Sequence, residues 1–170
     1  MRTTAVELLR VVAGLLAAAV VAAMAFAVFG AILTWSSAEA GLGEAILMAV
    51  AFSWVTFIVA LAHAVVLGLP AYLLLWWAGW TRWWVSLACG FAIGCLPFAI
   101  YFSPLDNAAS FSQVGDKVLI ENGVTTLAGW IDYGETAAGL GLLGMASGSA
   151  AWLAWYGLGR VFARPGAALD

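Results

Sequence analysis

"AILMAVAFSWVTFIVALAHAVVLGLPAYLLLWW", residues 45–77, runs for 33 positions without one Asp, Glu, Lys or Arg. As a continuous helix it would measure roughly 50 Å, against a bilayer hydrocarbon core of about 30 Å. A stretch of this length and composition reads as a membrane span that tilts, kinks or projects. Pro70 supplies the kink, because it has no N–H for the Val66 carbonyl and its ring pushes against that oxygen.

The whole chain agrees with this reading. Of its 170 residues, 65% are hydrophobic and 9% are charged, and its formal net charge is −3. Soluble domains are about half apolar and about a quarter charged, so this chain lacks the polar side chains to cover itself in water. Working outward from residues 45–77, three more apolar runs lie at about 11–35, 83–102 and 136–159. The first is too long for a signal-peptide core of about 7–15 residues and reads as an uncleaved helix. The expected fold is an all-α membrane protein: one integral membrane domain over 1–170, a four-transmembrane-helix bundle with a short extracytoplasmic β-hairpin loop within 103–135.

Charge sets the orientation. Arg2, Arg10, Arg82, Arg160 and Arg164 fall at the termini or in the turn between the second and third spans, and Lys117 is the one basic residue elsewhere. Basic residues stay on the cytoplasmic side, so both termini and the Arg82 turn are expected there. Glu39, Glu44, Asp106, Asp116, Glu121, Asp132 and Glu135 fall on the opposite side. Trp76, Trp77, Trp80, Trp83 and Trp84 crowd the cytoplasmic boundary, with Trp152, Trp155 and Tyr156 at the same level of span four. Indole rings favour the headgroup region, which accounts for the clustering without a ligand.

Lipid tails are as apolar as leucine, so helix association in a bilayer depends on close packing and interhelical hydrogen bonds. Small residues at helical spacing mark the contact faces. Ser86, Gly90, Gly94, Pro97 and Tyr101 form one such stripe, and Ala137, Gly141, Gly144, Gly148 and Ala151 form another. Spans three and four are therefore expected to pack in intimate contact. Cys89 and Cys95 are six positions apart, roughly 600° around a helix, and read as small buried hydrophobes rather than a disulfide. One histidine and this cysteine spacing leave no metal-ligand set, and no cofactor motif is present.

His63 lies near mid-span. Thr56, His63 and Pro70 are spaced by seven, which places them on one helical stripe and marks a candidate polar site inside the bundle. The expected partner of His63 is a hydroxyl or a carbonyl, the one released by Pro70 among them. An ionisable residue inside a span raises a functional hypothesis, but no carboxylate in any span stands ready to relay a proton.

The polar segment 103–135 is the place to meet another molecule. "DKVLIENGVTT" reads as a hairpin about Asn122-Gly123, since both central residues of a type I′ turn need positive φ. Candidate contact residues are Asp116, Lys117, Glu121, Asn122, Gly123, Trp130, Asp132 and Tyr133. "TLAGWIDYGE" reads as an interfacial step into span four, anchored by Trp130 and Tyr133.

"NGVTTLAGWIDY" (122–133), "GLLGMASGSAAWLAW" (141–155) and "HAVVLGLPAYLLL" (63–75) resemble a pattern in a family of small, functionally uncharacterised bacterial inner-membrane proteins with four spans. The likeness covers about half of the chain and span two. It implies the same architecture in a bacterial inner membrane and transfers no activity.

Three function classes compete. The first is a non-catalytic membrane protein acting by protein–protein interaction, as an accessory subunit or as an immunity-type protein guarding its membrane. Its partners are the lipid bilayer and another membrane or extracytoplasmic protein, with self-association as a further option and nothing that points to nucleic acid. The second is a small transporter or channel using the kinked helix with His63 and Pro70. The third is an intramembrane enzyme, for which Ser53, Ser86, Ser147 and Ser149 have His63 as their sole base. The absence of a catalytic constellation favours the first.

Overall fold

The computed structural model describes residues 2–36, 41–80, 82–104 and 111–162. Glu39, Asp106 and Arg164 lie outside the described residues. The chain runs α1 (Arg2–Ser36), α2 (Leu42–His63), a π-helical segment (Ala64–Gly68), α3 (Leu69–Trp77) and α4 (Trp83–Tyr101). Three strands follow, β1 (Phe111–Val114), β2 (Lys117–Glu121) and β3 (Val124–Thr125), and α5 (Leu127–Phe162) closes the order. Among the described residues, four helical stretches are long and apolar enough to cross a membrane: Ala5–Trp35, Leu42–Trp77, Trp83–Tyr101 and Leu127–Gly159.

The helices form an up-and-down bundle. α1 packs on α2 and on α5, and α5 packs on α4. Sequence-distant contacts give the directions: Gly14 meets the backbone of Ala151, Gly30 meets the Phe52 ring, and Gly94 meets Leu140 and Gly144. Each of these pairs is antiparallel.

Small residues make the close approaches. A methyl group at Gly90 would collide with the Gly144 carbonyl, and one at Gly94 would collide with the Leu140 carbonyl. Ser86 adds a hydroxyl that donates to the Gly148 carbonyl at 2.9 Å. Gly141 differs from its neighbours, because it faces the Phe91 ring rather than backbone. Among the described residues the buried hydrophobic positions are Ala19, Ala22, Ala23, Ala45 and Val85, and no large side chain is fully covered. The large apolar side chains point outward instead; Leu47, Val66, Leu74 and Ile100 are each about two-thirds exposed or more.

Local signals explain the ends. α3 stops in a Schellman motif: Trp80 N–H donates to the Leu75 carbonyl (2.8 Å) and Gly79 N–H to that of Trp76 (3.1 Å). Gly79 takes φ +72°, which glycine adopts without a Cβ clash. The exposed Trp76, Trp77, Trp80, Trp83 and Trp84 surround this turn.

Two boundaries differ from the sequence reading. α5 begins at Leu127 rather than near 136, because Thr126 caps it: the Thr126 hydroxyl accepts the Gly129 N–H at 3.1 Å. Hydropathy rises only after Glu135, so a hydropathy criterion misses a polar first two turns. The second is the start of α1, at Arg2 rather than near 11, and in this added stretch Glu7 pairs with Arg10 at 2.6 Å.

The expected hairpin is part of a three-stranded antiparallel sheet in the order β1-β2-β3. Asn122 and Gly123 have φ +52° and +76°, and Glu121 pairs with Val124 across them, the geometry of a type I′ turn. β1 pairs with β2 across Gly115-Asp116, with Gly115 at φ +57° and a register irregularity between Ser112 and Gln113.

Candidate functional site

Two features are candidates: a cleft inside the bundle and the outward face of the sheet. The cleft encloses about 940 Å³ and is lined by side chains of α1, α2, α3, α4 and α5. It exists because α2 and α3 stand off from α4, touching it chiefly through the π-helical segment.

His63 and Thr56 both line the cleft, but Pro70 does not. Pro70 is exposed. The reason is the π-helical turn between them. It carries about one residue more than an α-turn, and one residue is roughly 100° of helix rotation. The seven-residue stripe therefore ends at His63. The same turn accommodates Pro70: the Leu69 N–H reaches back five residues to the Ala64 carbonyl, and the proline enters α3 at its first turn, where no N–H is required.

The His63 ring is held by its own helix, with Nδ1–H donating to the Val59 carbonyl at 2.9 Å. The Pro70-released carbonyl is not its partner. Helical side chains lean toward the N-terminus, so the carbonyl one turn back is within reach and one turn ahead is not.

Three of the four candidate serine hydroxyls are likewise engaged by backbone, and Ser147 lines the cleft. Ser53 donates to Val50 and Ser149 to Met145, besides the Ser86 bond to Gly148. Both cysteines are free and half-buried, and Cys89 lines the cleft. Among the described residues, no three of His, Cys, Asp and Glu are grouped to hold a metal ion.

At one end of the cleft stand Arg10, Tyr72, Trp80, Arg82 and Trp155. Arg10 is committed there: its Nε–H donates to the Trp155 carbonyl at 3.1 Å, its guanidinium lies 4.1 Å from the centre of the Trp155 ring, and Glu7 pairs with it. Arg82 is exposed and makes no ion pair among the described residues.

The sheet is clamped onto the start of α5. The Thr126 hydroxyl donates to the Val118 carbonyl at 2.6 Å, and Gly129 gives the Leu119 carbonyl room to approach the helix. Thr125 donates to the Pro104 carbonyl at 2.8 Å. Tyr133 donates to the Ala99 carbonyl at 3.0 Å and stacks on Phe98, which ties the same turns of α5 to the end of α4. Trp130 meets the edge of Tyr133 and is partly exposed.

No family model matches the chain, and no curated protein or solved structure is similar to it.

The ladder sorts the sheet residues into two faces. Phe111, Glu121 and Val124 are cross-strand neighbours, and Val114 pairs with Lys117 two pleats away. These share one face, and Phe111 (58%), Val114 (63%) and Val124 (67%) are exposed on it. Val118, Ile120 and Thr125 take the other, half-buried face. Of the eight residues singled out from sequence, Asp116, Lys117, Glu121, Asn122, Gly123, Trp130 and Asp132 are exposed, whereas Tyr133 turns inward. Phe111 and Val114 were missed because β1 was read as loop. A signal was present: Gly115-Asp116 separates "FSQV" from "KVLIE", and Gly-Asp is a hairpin dipeptide.

Proposed function

We propose that this chain is a non-catalytic, multi-pass membrane protein of the bacterial inner membrane that works by binding another protein at its outer sheet. Both termini and the Arg82 turn face the cytoplasm in this reading. The observation that carries it is the outward face of the sheet, where Phe111, Val114 and Val124 are exposed between Lys117 and Glu121. A sheet fastened to the bundle yet presenting apolar side chains to the outside is the usual mark of a protein contact. Accessory subunits and immunity-type proteins both use such a surface.

The test is photo-crosslinking in cells from positions 111, 114 and 124, with Leu142 on the bare flank of α5 as the control. A discrete protein adduct from the sheet positions is expected, absent from position 142 and lost when Val124→Lys is added to the position-111 probe. Adducts of equal yield at 142, or none at all three sheet positions, would end this reading.

One observation favours a second reading, passage of a small solute along the second helix. The π-helical turn lies beside the cleft with His63 and Thr56 on its wall, and broken helices line transport sites. His63→Ala that leaves the cellular phenotype intact would remove proton-coupled transport.

A further inference from the structure

The cleft is not used by the outer-sheet reading, and its chemistry says what fits it. Its walls are almost entirely apolar side chains and bare helix backbone, as at Gly90 and Gly94. It lies between α2/α3 and α4, which approach each other chiefly at Ala64–Gly68, and Val55 and Val59 on its wall are exposed. Its Arg10/Arg82 end carries two guanidinium groups beside Trp80, and Arg82 has no ionic partner among the described residues. An occupant that satisfies both ends is a long apolar chain that terminates in an anion.

We propose that the cleft binds one acyl chain of an anionic phospholipid, with the lipid phosphate held at its rim by Arg82. The proposal rests on the membrane location but not on the outer-sheet partner. A cavity of about 940 Å³ is at the upper end of the range that holds small molecules, about 300–1,000 Å³. Guanidinium groups bind phosphate through paired N–H donors, and an indole beside them sits at headgroup level. A transmembrane helix of a partner is the rival occupant. It needs a slot about 10 Å wide over its length, and the approach of Ala64–Gly68 to α4 interrupts the slot midway. A flexible chain fills the part on the arginine side without passing that point.

The full chain, purified in mild detergent, is titrated with phosphatidylglycerol, with phosphatidylcholine of identical acyl chains and with inorganic phosphate, and bound species are counted by native mass spectrometry. One phosphatidylglycerol per chain is expected, held about fivefold or more tighter than phosphatidylcholine, the worth of a basic side chain at an anionic surface. Arg82→Ala should bring phosphatidylglycerol down to the phosphatidylcholine level, and Arg82→Lys should restore part of the difference. Ala71→Trp, on the cleft wall on the arginine side of Ala64–Gly68, should weaken both lipids about tenfold by filling the chain's path. Equal retention of the two lipids in the unaltered chain overturns the proposal. So does unchanged binding in Ala71→Trp, or displacement of phosphatidylglycerol by inorganic phosphate, which would mean a plain anion site.

Discussion

The contact between α4 and α5 makes a prediction of opposite signs for the same substitution on one helix. Gly144→Ala places a methyl carbon 2.9 Å from the Gly90 carbonyl carbon and 3.1 Å from the Gly94 Cα. Carbon atoms rest about 3.5–4.0 Å apart, so the helices must separate by roughly 0.5–1 Å. Overpacking of this kind costs about 1–3 kcal/mol. Separation also stretches the Ser86–Gly148 hydrogen bond, 2.9 Å in the native contact, and interhelical bonds of this type contribute about 0.6 kcal/mol on average. Replacing glycine by alanine inside a helix returns up to about 1 kcal/mol. The net loss is about 2 kcal/mol, or a fall in Tm of about 4–8 °C for a chain of this size. Gly139→Ala lies five residues away on α5, where a Cβ meets nothing within 4 Å. There only the helix gain remains, and Tm should stay level or rise. Thermal unfolding of both variants in one detergent decides the matter. If Gly144→Ala were as stable as Gly139→Ala, the backbone contact would not be what holds α4 to α5.

Three further outcomes follow from individual contacts. Gly123→Ala forces a side chain into φ +76° and should cost about 1–2 kcal/mol, seen as faster amide exchange at Ile120 and Thr125 while the bundle's Tm is unchanged. Thr126→Val removes the cap on the Gly129 N–H and the bond to Val118, and should loosen the first turn of α5 by about 1 kcal/mol, read as lost exchange protection at Gly129 and Trp130. Arg10→Lys keeps the charge but loses the planar group that lies over Trp155 and donates to its carbonyl, so it should lower stability by about 1 kcal/mol and alter Trp fluorescence.

Sequence patterning carried the four long helices and the Asn122-Gly123 turn, because both rest on local signals: uninterrupted apolarity, and a dipeptide that tolerates positive φ. The glycine stripes at Gly90/Gly94 and Gly144/Gly148 were legible for the same reason, since a side-chain-free stripe on one helix has few uses other than a neighbouring helix. What stayed hidden depends on register or on distant partners. The π-helical turn is a one-residue change in hydrogen bonding that no periodicity announces, and it moved Pro70 off the Thr56/His63 stripe. The cleft arises from two helices failing to meet, which is a property of the whole bundle. The outward face of the sheet needed β1, whose four residues carry their meaning only once paired with β2.

α5 has a consequence for how load travels through the molecule. The hydrogen-bonded ladder of α5 from Leu127 to Trp155, roughly 44 Å, joins the threonine that seats the strands to the tryptophan that seats Arg10. The second stretch has no such continuity, being interrupted by Ala64–Gly68. A pull on the strands is thus borne by a single strut reaching the opposite pole, while the interrupted helix beside it is free to give.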